Sequence, residues 1–137
     1  MSNILKTGVL IIFTFFFIYS CNDSGPTIDN SNNSGNHAPA APNNPFPHNN
    51  TTGVPRLLTV SWTCEDPDAG DTIKYDVYMA NDNPPVNVLI TNLLANSYFV
   101  PFLLDTSRVY YWRVNSKDNH GAITTGTVWK FTTGLTD

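Results

Sequence analysis

The chain has 137 residues, 13% of them charged, and a formal net charge of −4. That balance excludes a nucleic-acid surface, which needs a basic stripe. With 12% aromatic residues, 10 Pro and 8 Gly, the composition points to an all-β, turn-rich domain of about 100 residues.

The chain opens on an apolar run, Gly8 to Tyr19, flanked by Lys6 and the amino terminus and followed by the small residue Ser20. This is the layout of a secretory signal peptide over residues 1–20. The run is about a dozen residues, short of the roughly 17–25 that cross a bilayer. Ile18-Tyr19-Ser20-Cys21 resembles a bacterial lipobox, with Ile18 in place of the usual Leu and Tyr19 bulkier than the usual small residue. The resemblance implies that Cys21 is lipidated and palmitoylated. It also implies that the chain is a lipoprotein anchored to a bacterial envelope membrane, the outer one if the cell is Gram-negative. Each buried methylene contributes about 0.8 kcal/mol, and more than one acyl chain gives stable anchoring.

From Asn22 to Gly35 the sequence reads NDSGPTIDNSNNSG. Such a segment cannot bury enough apolar surface to offset its ordering entropy. With Cys21 it is expected to act as a flexible tether, residues 21–35, spanning roughly 20 Å. The folded domain is expected over residues 36–137.

Leu58-Thr59-Val60-Ser61-Trp62 alternates apolar and polar, the period of a half-buried strand. Asp66-Pro67-Asp68-Ala69-Gly70 predicts a tight turn, with Gly70 free to take positive φ. Ile73 to Met79 predicts a strand with Ile73, Tyr75, Val77 and Met79 on one face and Lys74, Asp76 and Tyr78 on the other. A short, edge-type strand is predicted over Val86 to Ile90, and another over Ser97 to Val100 with Tyr98 and Val100 inward. Val109 to Ser116 places Tyr110, Trp112 and Val114 on one face and Tyr111 and Arg113 on the other. Asn119-His120-Gly121 predicts a hairpin-type turn, and Thr127 to Thr132 a last strand with Trp129 and Phe131 inward. Short strands separated by turns at this spacing indicate a sandwich or barrel.

From Ala38 onward the chain resembles a fibronectin type III domain, an immunoglobulin-like fold. Trp62 stands where that family places its core Trp. Tyr110-Tyr111-Trp112-Arg113-Val114 matches the sixth-strand pattern, and Leu104 lies at the tyrosine-corner spacing before Tyr110. The ending Val128-Trp129-Lys130-Phe131-Thr132-Thr133 resembles the last strand. The Pro-rich start, with Pro39, Pro42, Pro45 and Pro47, resembles the first. The resemblance implies a seven-stranded β-sandwich whose tyrosine hydroxyl bonds backbone a few residues upstream. Asp105-Thr106 replaces the family's usual Pro-Gly before the corner. The expected core is Trp62, Tyr75, Val77, Tyr98, Leu104, Tyr110, Trp112, Val114, Trp129 and Phe131.

Candidate chemistry is sparse. Glu65, Asp66, Asp68 and Asp71 lie close in sequence and could serve a hard cation such as Ca²⁺. The ordinary reading is that they stabilise the turn, and the spacing is not that of an EF-hand. His120 is the one histidine in the compact region, while His37 and His48 lie in the lead-in. Cys64 lacks the base and orienting group that a nucleophile requires. No enzyme activity and no cofactor are expected. The best binding surface is an outward sheet face bearing Tyr78, Tyr111, Arg113 and Lys130, with Asp76 and Val128 beside them, since exposed Tyr and Arg make hot spots. The competing reading is simple cross-strand pairing, with Arg113 or Lys130 against Asp76. The functional expectation is a non-catalytic envelope module that binds or spaces protein or glycan partners, without nucleic acid. The alternative is an accessory subunit of a polysaccharide-processing enzyme or uptake system.

Overall fold

The structure is a computed structural model and describes residues 35–135. The expected signal peptide, the expected lipidation site Cys21 and all but the last residue of the expected tether lie outside the described residues. Among the described residues, nine strand segments form two sheets. They are β1 (Asn43–Phe46), β2 (Thr51–Val54), β3 (Thr59–Thr63), β4 (Lys74–Ala80), β5 (Val88–Leu93), β6 (Ser97–Phe99), β7 (Val109–Lys117), β8 (Ile123–Thr125) and β9 (Trp129–Thr133). The smaller sheet has the order β1-β3-β6, and the larger β2-β9-β7-β4-β5, with β8 also paired to β7.

The nine segments correspond to the seven expected strands because the first and last are each interrupted. β1 pairs with β3, after which the chain crosses over and β2 runs parallel to β9. Thr51-Thr52-Gly53-Val54 carries no apolar alternation, so its sequence gave no strand signal. Its place comes from backbone bonds, with the Asn50 N–H on the Lys130 carbonyl at 2.7 Å and the Gly134 N–H on the Val54 carbonyl at 2.8 Å. β8 and β9 both pair with β7, at opposite ends of it. The break between them falls at Gly126, where a Cβ would meet the Val114 carbonyl oxygen at 2.1 Å. Only a residue without a side chain lets the two backbones approach that closely.

The expected edge strand shifts from Val86–Ile90 to β5, Val88–Leu93. Its pairing with β4 is bulged, since Tyr75 faces Leu93 while Val77 faces Ile90. Asn92 takes a φ of 55°, and the Asp76 carboxylate accepts the Asn92 N–H at 2.9 Å. A side-chain acceptor thus satisfies a backbone donor that the bulge removes from the ladder.

Alternation in β4 and β7 sets the core. Tyr75, Val77 and Met79 on β4 and Tyr110, Trp112 and Val114 on β7 are buried, facing Val60 and Trp62 of β3. Trp129 and Phe131 of β9 complete it, together with Val54, Leu58, Val100 and Leu104. Tyr98, expected inside, is only partly buried because β6 is a three-residue edge strand. Trp62 packs edge-on against Tyr75 with ring centroids 5.2 Å apart, and Trp112 lies 4.8 Å from Trp129.

The tyrosine corner forms. The Asp105 N–H donates to the Tyr110 hydroxyl at 3.0 Å, and Leu104 is buried beneath it. Where the family has Pro-Gly, this chain bends through Ser107 at φ 51°. Thr133 secures the bend, its buried hydroxyl accepting the Arg108 N–H and donating to the Asp105 carbonyl. The proline-rich start is also held: Pro39 is buried, and its carbonyl accepts the Thr124 hydroxyl at 2.6 Å.

Trp62 is 2% exposed. Trp62→Ala is therefore expected to cost about 3–5 kcal/mol. Chemical denaturation followed by fluorescence of the remaining tryptophans checks this, and an unchanged midpoint would remove Trp62 from the core.

Candidate functional site: an aromatic and cationic sheet face

Side chains of β4, β7 and β9 that do not enter the core point out from the larger sheet. Tyr78 on β4 stands directly opposite Arg113 on β7, and Tyr111 on β7 opposite Lys130 on β9. The four residues singled out from sequence therefore form one patch across three hydrogen-bonded strands. Tyr78, Tyr111 and Arg113 are half-buried and Lys130 is exposed.

Arg113 is held by stacking. Its guanidinium carbon sits 4.7 Å from the Tyr78 ring centroid, within range for a cation–π contact. Its Nε is buried without a hydrogen-bond partner. Asp76 is in register with Asn115, and its carboxylate serves the Asn92 N–H of the bulge. The cross-strand stabilisation here is thus aromatic–cation, in place of the carboxylate pairing considered from sequence.

Two shallow depressions of about 240 Å³ each meet at Tyr111 and Lys130. One is lined also by Asn49, Asn50, Asn83 and Val128. Asn49 is positioned by its own bond, its side-chain oxygen accepting the Lys130 N–H at 2.9 Å. The asparagines arrive from the β1–β2 crossover and the β4–β5 loop, so sequence alone did not place them beside Tyr111. A more apolar hollow of about 370 Å³ lies elsewhere, against Phe46, Val54, Leu57 and Leu58.

The acidic loop divides in two. The Asp66 carboxylate accepts the Asp68 N–H at 2.9 Å and Gly70 takes a φ of 97°, so the expected turn forms. Asp68 turns outward to His37, accepting its backbone N–H at 2.6 Å and lying 3.0 Å from its Nδ1. That contact raises the imidazole pKa above its usual value and lowers that of the carboxylate. Glu65 is exposed. Asp66 and Asp71 instead gather with Asp118 from the β7–β8 turn, one ligand oxygen from each lying within 4.8 Å of the others. Of the four acidic residues considered together from sequence, the fold groups two and adds a third from a distant turn.

Asp118 is almost wholly buried. Its pKa is held below the usual carboxylate range chiefly by the Asn36 amide, which donates at 2.7 Å, with help from backbone N–H groups of the turn. Those of His120 and Ala122 reach its Oδ1 at 2.8 and 2.9 Å. His120 occupies the expected turn, beside Gly121 at φ 95°. Its Nε2 lies 3.4 Å from Asp71 Oδ1.

Cys64 is a free, partly buried thiol packed against the core, donating to the Ala40 carbonyl at 3.1 Å. Burial raises its pKa above that of an ordinary thiol. Burial also pushes the neighbouring Tyr75 phenol up to about 12.

The chain matches no family model and no curated protein sequence. Solved structures do resemble it. An α-L-rhamnosidase from Dictyoglumus thermophilum superposes with a TM-score of 0.59 at 19% identity, covering 75% of this chain. The match spans only 13% of the rhamnosidase's own length. The sixth fibronectin type III domain of a human fibronectin type III domain-containing protein gives 0.57 at 19% identity, covering 76% of this chain and 93% of that domain. A Fn3-like protein from Clostridium thermocellum gives 0.52 at 18%, covering 74% and 99%. The described residues therefore fold as a fibronectin type III-like β-sandwich.

The raised pKa of Cys64 leaves little thiolate near neutrality, and the thiolate is the reactive form. Alkylation by iodoacetamide at pH 8 is expected to be slower in the folded chain than after denaturation, as read by mass spectrometry. Equal rates would show that the thiol is neither buried nor shifted.

Proposed function

We propose that this chain is a non-catalytic, lipid-anchored bacterial envelope protein that binds glycan through the outer face of its larger sheet. The observation that carries this reading is the contiguous run of Tyr78, Arg113, Tyr111 and Lys130 beside a depression lined by asparagine amides. Sugar rings present C–H faces that stack on aromatic side chains, and hydroxyls that pair with amide and guanidinium groups. A few converging polar groups beside apolar surface is the usual composition of a small-ligand site. Arg113 already lies over Tyr78, so little side-chain freedom is lost when a ligand lands there.

The anchor half of the proposal rests on Cys21 and the apolar run before it. Acylation at Cys21 would hold the domain at a membrane surface, with the polar residues 22–35 as tether. A second reading, an accessory subunit of a polysaccharide-processing or uptake system, is favoured by one observation: a sandwich of this fold occurs as 13% of the length of an α-L-rhamnosidase. That is an analogy of fold, and folds host many functions.

Two experiments test the proposal. In native gels containing neutral glucans or rhamnose-rich polysaccharides, the protein should be retarded by at least one of them. Tyr111→Ala and Arg113→Ala should each weaken that retention by roughly 1–2 kcal/mol, about five- to thirtyfold. Both side chains are half-buried, so a stability loss of about 1 kcal/mol is expected alongside, well below that of Trp62→Ala. Unchanged mobility in every gel would remove the glycan reading, and a protein partner captured through Tyr111 would replace it. Separately, Cys21→Ser should abolish labelling by palmitate and move the chain to the soluble fraction. Persistent labelling and membrane partitioning in this variant would refute the anchor.

A further inference from the structure

Three carboxylates, two of which local hydrogen bonding leaves incompletely satisfied, meet at one end of the sandwich. Asp66 belongs to the β3–β4 loop, Asp71 lies just before β4, and Asp118 begins the β7–β8 turn. A turn role explains Asp66 Oδ1, which accepts the Asp68 N–H, and Asp118 Oδ1, which accepts the His120 and Ala122 N–H groups. It leaves Asp66 Oδ2 and Asp71 Oδ2 buried with no hydrogen-bond partner. The Asp71 side chain is only 10% exposed, and its other oxygen lies 3.4 Å from His120 Nε2. Buried carboxylate oxygens are costly unless something pairs with them. Here both belong to carboxylates that cluster with a third, itself buried.

We infer that Asp66, Asp71 and Asp118 form a calcium site that clamps the β3–β4 loop to the β7–β8 turn. The donors are all hard oxygens, the class that calcium and magnesium select. Ligand number separates the two ions. Magnesium is usually held by one or two carboxylates and keeps its waters, whereas calcium accepts a larger set of protein oxygens such as the three carboxylates gathered here. Water and backbone carbonyls would complete the 6–8 oxygens that calcium takes. Asp118 is prepared for this role because the Asn36 amide and the turn N–H groups fix it in place. A bound cation would add to the link that the Thr72 N–H already makes by donating to the Asn119 side-chain oxygen at 3.0 Å, and would relieve the mutual repulsion of the three carboxylates.

The test uses the full chain in detergent, unfolded thermally in EDTA and in CaCl₂, with calorimetric titration of calcium. Binding is expected with a Kd of about 0.1–1 mM, the range of extracellular modules. Saturating calcium should raise Tm by at least about 5 °C. Asp118→Asn would disturb the turn itself, so Asp71→Asn is the informative variant. It removes one charge and keeps the shape. Asp71→Asn should lose most of the calcium response while its Tm in EDTA stays level or rises, because repulsion has been reduced. Asp68→Asn, whose carboxylate faces His37, should respond as wild type does. Several results would overturn the site: no shift up to about 10 mM calcium, tenfold above the weakest range; a full response retained in Asp71→Asn; or an equal loss in Asp68→Asn. An equal response to magnesium would overturn the choice of ion.

Discussion

The contact on which this domain depends is that of Trp62 with Tyr75. The two sheets share no hydrogen-bonded ladder, so side-chain packing is what binds one to the other. Trp62 extends from the middle strand of the smaller sheet, and its ring meets Tyr75 of the larger one edge-to-face at 5.2 Å. This geometry places the positive edge of one ring against the negative face of the other and adds to the area both bury. Around it the alternating residues of β4 and β7 fill the remaining volume, with Trp112 and Trp129 forming a second aromatic contact. Cys64 remains a thiol beside this core, and its burial and hydrogen bond to Ala40 fit a packing role.

A core of this kind leaves the outward residues of β4, β7 and β9 free for other work. Their alternation is enforced by the pleat: if Trp112 and Val114 face in, Tyr111 and Arg113 must face out. The register then puts Tyr78 against Arg113, and the cation rests on the aromatic face. That stacking stabilises the sheet across β4 and β7 and fixes the guanidinium in place, while Asp76 is engaged by the Asn92 N–H.

Loop ends of the sandwich show a different economy. The tyrosine corner, the bend at Ser107 and the turn at Asp118 are each held by a side chain that satisfies backbone donors or acceptors away from the ladders. Short polar residues take the place of the glycine or proline another sequence would use. This satisfaction is complete at Asp118 Oδ1 and incomplete at Asp66 and Asp71, which distinguishes the acidic end from an ordinary set of turns.

Strand period and turn chemistry were legible in the sequence because they are local. Alternation around Trp62, Tyr75 and Trp112 named most of the core, and Asp66 to Gly70 announced its turn, while the corner at Leu104 and Tyr110 was expected from the resemblance to fibronectin type III domains. The outward residues Tyr78, Tyr111, Arg113 and Lys130 followed from the same alternation. What the tertiary structure decided were the pairings between distant segments. β2 has no apolar period and becomes a strand only because β9 offers it an edge. The break before β9 depends on how closely Gly126 approaches Val114. Asn49, Asn50 and Asn83 reach Tyr111 through separate loops. The acidic residues regrouped for the same reason: neighbours in sequence point apart around a tight turn, so Asp68 went to His37, while Asp66 and Asp71 met Asp118 across the fold.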